Sequence, residues 1–102
     1  MSILHTVNKS AFTHQTLSEC LSVCGSGHSI LFIEDGVYGA TNRSPCRETI
    51  EALQNLDVQF YVLDAAIEAR GIKNLLIQEV HIASDEEFVD LVVQHTAVQS
   101  WF

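Results

Sequence analysis

The residues able to do chemistry are the cysteines Cys20, Cys24 and Cys46, five scattered histidines, and the adjacent acids Glu34 and Asp35. Cys20 and Cys24 lie four apart on a helical stripe with Leu17 and Leu21. Both therefore read as small core hydrophobes. Glu19 sits beside Cys20 with no cation nearby in sequence, so nothing local favours its thiolate. Cys46 follows Ser44-Pro45 and lies between Arg43 and Arg47. A helix N-terminus and cations both stabilise a thiolate, so electrostatics alone select Cys46 as the reactive thiol. The structural reading stands beside it, since Cys46 also opens an apolar stripe with Ile50 and Leu53.

No Cys-x-x-Cys or His-x-x-x-His pair occurs, and two thiols on one helix face do not complete a zinc site. No metal and no cofactor are expected. Glu34-Asp35 could serve as a phosphoacceptor or magnesium site. That chemistry needs a lysine at a late strand end, and none falls there, so the acids are expected to terminate a strand and cap the next segment. Gly25-Ser26-Gly27 precedes a strand, whereas a phosphate-cradling loop must come after one. His5 and His81 read as packing or hydrogen-bonding histidines.

The element that organises these residues is the run 29–33, apolar on both faces and stopped by Glu34, Asp35 and Gly36. Such a run is a strand covered on both sides, and its acidic end marks the C-terminal edge where parallel sheets keep their crevices. Residues 3–7 predict the first strand, 58–63 the third and 79–83 the fourth. A first helix begins at a Thr16/Glu19 capping box or earlier, near Thr13, and ends at Gly25. Ser44 and Pro45 predict the cap and first position of a second helix, and Asp64 caps a short one that Gly71 ends. Residues 72–77 read as a turn or short helix. Ser84 and Glu87 repeat the capping-box spacing, and Phe88, Leu91, Val92 and His95 line one face of the last helix. The fold class is α/β: one domain, 1–102, three layers α/β/α around a mainly parallel sheet of four to five strands.

The 102 residues carry a net charge of -8, which repels phosphate backbones and suits a more basic protein partner. The odd cysteine count predicts free thiols in a reducing compartment. His5, Asn8 and Lys9 interrupt any leader-like apolar run, and no stretch reaches the roughly 18 apolar residues of a bilayer span, so a cytoplasmic protein is expected. Trp101-Phe102 must either fold back on the core or dock on a neighbour.

The stretch Leu4-His5-Thr6-Val7-Asn8-Lys9-Ser10 resembles the opening of the DsrH/TusB family. So do Glu34-Asp35-Gly36-Val37-Tyr38-Gly39-Ala40, Leu63-Asp64 leading to Ala69-Arg70-Gly71, and Phe88, Leu91, His95 and Trp101 near the end. The resemblance covers essentially the whole chain. It implies a non-autonomous subunit of a sulfur-relay complex, assembled with DsrE/TusD-like and DsrF/TusC-like homologues as a dimer of heterotrimers. Such a complex passes persulfide sulfur to a DsrC/TusE-like carrier, for sulfur oxidation or for thiolation of the tRNA wobble uridine. The main persulfide cysteine belongs to the DsrE/TusD-type subunit. DsrH-type chains can carry a first-helix cysteine, matched here by Cys20, which favours the sulfur-oxidation branch. Asn8, Lys9, Ser10, Glu34, Asp35, Gly36, Tyr38 and Trp101 are the expected interface or crevice residues. A stand-alone persulfide-carrying sulfurtransferase, using Cys20 or Cys46, is the alternative of another class.

Overall fold

The computed structural model describes residues 2–102. Its strands are β1 (Ile3–Val7), β2 (Ser29–Phe32), β3 (Gln59–Leu63), β4 (His81–Ala83) and β5 (Ala97–Trp101). Between them run the helices α1 (Thr16–Ser22), α2 (Arg47–Gln54), α3 (Asp64–Arg70) and α4 (Asp85–Gln94), with 3-10 segments at Glu34–Ala40 and Lys73–Leu75. The strands form one five-stranded sheet in the order β4-β3-β2-β1-β5, every pair parallel.

Crossovers between parallel strands are right-handed, so steps that all advance toward one edge place their helices on one face. The steps from β1 to β4 advance in this way. Leu17, Cys20 and Leu21 of α1, Ile50 of α2, and Ala66 and Ile67 of α3 accordingly share a core with Ile30, Phe32, Phe60 and Val62. The last crossover returns from β4 to the far edge, so α4 lies on the opposite face. There Leu91 and Phe88 pack on Leu4, Leu31, Tyr61 and Ala83. The predicted three-layer arrangement and the parallel sheet are both present, with a fully buried β2 at the centre.

Several element starts differ from the sequence reading. No side chain caps α1: its first residue is Thr16, and the Glu19 amide donates to Gln15 O at 3.0 Å. The turn in which the Thr13 and His14 amides donate to Ser10 O delivers the chain instead. Ser44 caps a turn ahead of α2: its Oγ accepts from the Cys46 amide at 3.1 Å. The helix itself starts at Arg47, with Cys46 at the cap position. Asp64 is the first residue of α3 and makes no capping bond. β4 is shorter than predicted because Glu79 takes a left-handed φ of 68°, which no strand residue adopts. Residues 72–77 contain the short 3-10 turn Lys73–Leu75, which a bridge between Thr41 and Leu76 ties to the loop before α2. Gly71 ends α3 in the left-handed conformation, and Ser84 with Glu87 forms the capping box, both as predicted. On α4, Val92 is 40% exposed, so the apolar face is narrower than the sequence stripe.

The tail becomes the fifth strand. Trp101 folds back against the larger core while Phe102 is 82% exposed.

Candidate functional site

The C-terminal edge of the sheet carries the first group of candidates. The 3-10 segment Glu34–Ala40 is pressed onto the end of β1: a Cβ at Gly36 would stand 2.1 Å from Val7 O, so only glycine fits. Glu34 enters the segment with φ 49°, a left-handed conformation that strains a residue bearing a side chain. Asp35 is held in place. Its Oδ1 accepts from Arg70 Nη2 at 2.8 Å and from Nε at 3.2 Å. The same guanidinium donates to Ala66 O at 3.1 Å and lies 5.9 Å from the Tyr38 ring centroid. Asp35, Tyr38 and Arg70 thus form one clamp between the 3-10 segment and α3. A carboxylate engaged in this way supports a structural role, but through an ion pair: no side chain makes the capping bond expected at the start of the 3-10 segment. The sequence did not pair Arg70 with Asp35, which lie 35 residues apart.

Asn8 comes after β1, against Gly36, and its buried Oδ1 has no hydrogen-bond partner among the described residues. Ser10 does structural work: its Oγ accepts from the Phe12 amide at 3.2 Å and its carbonyl anchors the turn into α1. Lys9 is half-buried between them.

The cysteines separate sharply. Cys20 is fully buried, and the hydrogen bond its thiol donates to Cys24, together with burial, pushes its pKa far upward. Cys46 is not activated by its helix: burial raises its pKa. Arg47, expected to help it, is engaged by Glu51 at 3.3 Å and by Asn42 O at 3.3 Å. Cys24 behaves in the opposite way. It is half-buried, and the Cys20 hydrogen bond, assisted by His5 and His28 and opposed by burial, lowers its pKa to about 5.

Cys24 belongs to a polar cluster that the sequence reading missed. His5 in mid-β1, Cys24 just beyond α1 and His28 just before β2 place one ligand atom each within 4.8 Å of one another. Trp101 Nε1 donates to His5 Nδ1 at 3.1 Å, and His5 Nε2 lies 3.0 Å from His28 Nδ1. Indole N–H only donates, so His5 carries its proton on Nε2 and passes it toward His28. Cys24 packs against the larger core as expected and also belongs to this cluster, which brings together two of the five histidines. The four-residue spacing of Cys24 and His28 was visible, but both lie past the end of α1, where that spacing sets no common helix face, and His5 is distant in the chain.

The fold and site define a small parallel α/β domain with an ordered crevice edge and no complete catalytic constellation among its described residues. A family model described as DsrH like protein matches residues 9–98. Protein TusB of Enterobacter sp. (strain 638) is 29% identical over 99 residues, covering 97% of this chain and 100% of that protein. Protein TusB of Yersinia pestis (strain Pestoides F) is 32% identical over the same lengths. Among solved structures, the YchN protein from E. coli superposes with a TM-score of 0.84 at 17% identity, covering 98% of each chain. MTH1491 from Methanobacterium thermoautotrophicum gives 0.79 at 11% identity, covering 96% of this chain and 97% of that one. These two likenesses concern the fold alone. The chain belongs to the DsrH/TusB family of sulfur-relay subunits. No helix of the described residues is long and apolar enough to cross a membrane.

Proposed function

We propose that this chain is the TusB-type subunit of a cytoplasmic relay that delivers sulfane sulfur for 2-thiolation of the tRNA wobble uridine. The observation that carries the reading is the match, over the whole length of each relative, to proteins named TusB. In this reading the chain works beside TusD-like and TusC-like homologues, as a dimer of heterotrimers, and a TusE-like carrier takes the sulfur onward. The Asn8-Lys9-Ser10 loop, the clamp of Asp35, Tyr38 and Arg70, and the 3-10 segment behind Gly36 face those neighbours. The partnerless Oδ1 of Asn8 suits such a contact, because a donor from a second chain would satisfy it. The net charge of -8 supports a role apart from gripping the tRNA itself.

The sulfur-oxidation branch is the second reading, supported by the description of the matching family model as DsrH like. The first-helix cysteine that favoured it lends little support, because Cys20 is fully buried with its pKa pushed upward.

Deleting the gene in its own host and weighing the wobble nucleosides by mass spectrometry tests the proposal. Loss of 2-thiouridine, restored by the wild-type chain, is the expected result. Retained 2-thiouridine with impaired oxidation of stored sulfur selects the second reading. Recovery of the tagged chain from the host with no homologous subunits attached overturns both.

A further inference from the structure

The cluster of His5, Cys24 and His28 has no part in the relay reading, and its chemistry is specific. Two imidazoles and a thiol converge in a layer otherwise built of apolar side chains. Their ligand atoms lie within 4.8 Å of one another. A tetrahedral zinc ion, with bonds of about 2.0 Å to nitrogen and about 2.3 Å to sulfur, sets two nitrogens about 3.3 Å apart and a nitrogen and a sulfur about 3.5 Å apart. The His5 and His28 nitrogens, at 3.0 Å, need only a small separation to match. We propose that Cys24 Sγ, His28 Nδ1 and His5 Nε2 bind one borderline-soft metal ion of the Zn²⁺ class. Water, or a group from outside the chain, fills its fourth position.

The donor set fits such an ion better than magnesium or calcium, which require oxygen ligands. The metal takes the place of the proton that now joins the two imidazoles. Cys24 binds as its thiolate, any proton still on the sulfur leaving to solvent, and the Cys24 sulfur–metal bond forms. The proton on His5 Nε2 moves to Nδ1, so that Nε2 offers its lone pair. His28 Nδ1 already presents a lone pair to the cluster. The hydrogen bond that the Cys24 thiol donates to Cys20 O at 3.2 Å is given up when the sulfur binds as a thiolate.

Trp101 sets a distinctive condition. Its N–H now occupies His5 Nδ1 at 3.1 Å, and a protonated Nδ1 cannot accept it. Metal binding must therefore break the indole–imidazole hydrogen bond. Trp101 is the only tryptophan in the chain, so it reports its own displacement.

The test uses the purified full chain, kept reduced and stripped of metal with a chelator. Zn²⁺ is titrated in competition with a chromophoric chelator, and Co²⁺ is added as a spectroscopic probe. One ion per chain is expected, with a sulfur-to-cobalt charge-transfer band and a change in tryptophan emission on saturation. Cys24→Ser and His28→Ala each weaken binding by at least about ten-fold, the lower bound even for residues outside the ligand set. Both positions are half-buried beside a loop, and the two variants guard against misfolding of either one. Trp101→Phe removes the competing donor and tightens binding about five-fold, the worth of one ordinary hydrogen bond. Binding unchanged in both ligand variants, or emission unmoved at saturating Zn²⁺, overturns the site. The result is independent of 2-thiouridine levels, so it stands or falls separately from the relay reading.

Discussion

Gly36 shows how one position can secure the crevice edge. A methyl group there would stand 2.1 Å from the carbonyl oxygen of Val7, a backbone atom that cannot step aside. Gly36→Ala is therefore expected to cost about 1–3 kcal/mol, the range for overpacking, as a lowered urea midpoint. A midpoint within error of wild type would mean that the 3-10 segment is not held against β1. The cysteines allow a second measurement at this scale. The folded pKa of Cys24 is lowered to about 5, so its thiolate is populated from there upward and is lost only as pH falls through that value. Burial raises the pKa of Cys46, so its thiolate appears only above the ordinary thiol range. With iodoacetamide at pH 7 on the metal-free chain, Cys24 is expected to be alkylated first, Cys46 later and the buried Cys20 last. Peptide mapping at short times gives the order, and Cys46 reacting first would contradict it.

At the scale of elements, α4 starts with a complete capping box. Ser84 Oγ accepts from the Glu87 amide at 3.2 Å, and Glu87 Oε1 accepts from the Ser84 amide at 3.1 Å. Ser84→Ala should lower stability by about 1 kcal/mol, readable as a shift in the urea midpoint without a change in slope. The clamp between the 3-10 segment and α3 behaves asymmetrically. The Asp35 side chain is 64% exposed and that of Arg70 only 22%, so the ion pair itself is worth little. Arg70 also reaches Ala66 O and covers Tyr38. Arg70→Ala is accordingly expected to destabilise more than Asp35→Asn, which should stay within about 0.5 kcal/mol of wild type. Equal losses from the two variants would assign the clamp to charge alone.

For the whole molecule, the balance of five basic against thirteen acidic residues governs what can approach it. A chain of this charge is repelled by polyphosphate, so the isolated protein is expected not to retard tRNA in a gel at physiological salt. A salt-sensitive shift would place RNA contact on this subunit. Among the described residues, the order β4-β3-β2-β1-β5 also leaves α4 as the single α-helix on its face of the sheet. Val89 and Val93 of that helix are 61% and 78% exposed.

The alternation of strands and helices, the buried central strand, the Gly71 stop and the Ser84 capping box were all legible in the sequence. Each depends on residues within a turn or two of one another, where periodicity and capping chemistry act directly. The family was legible as well, because its motifs recur in order along the chain. Local signals also misled: Ser44 caps a turn instead of a helix, and Arg47, next to Cys46, is engaged by Glu51 and Asn42. The pairing of Asp35 with Arg70, the seat of Trp101 on His5, and the meeting of His5 with Cys24 and His28 were decided by the tertiary structure. β5 returns to pair with β1 only after α4 has crossed the sheet, and that return sets Trp101 opposite Val7, from where its indole reaches His5. Sequence spacing fixes what a residue can reach along its own element. Which elements lie side by side depends on how all of them together bury their apolar faces.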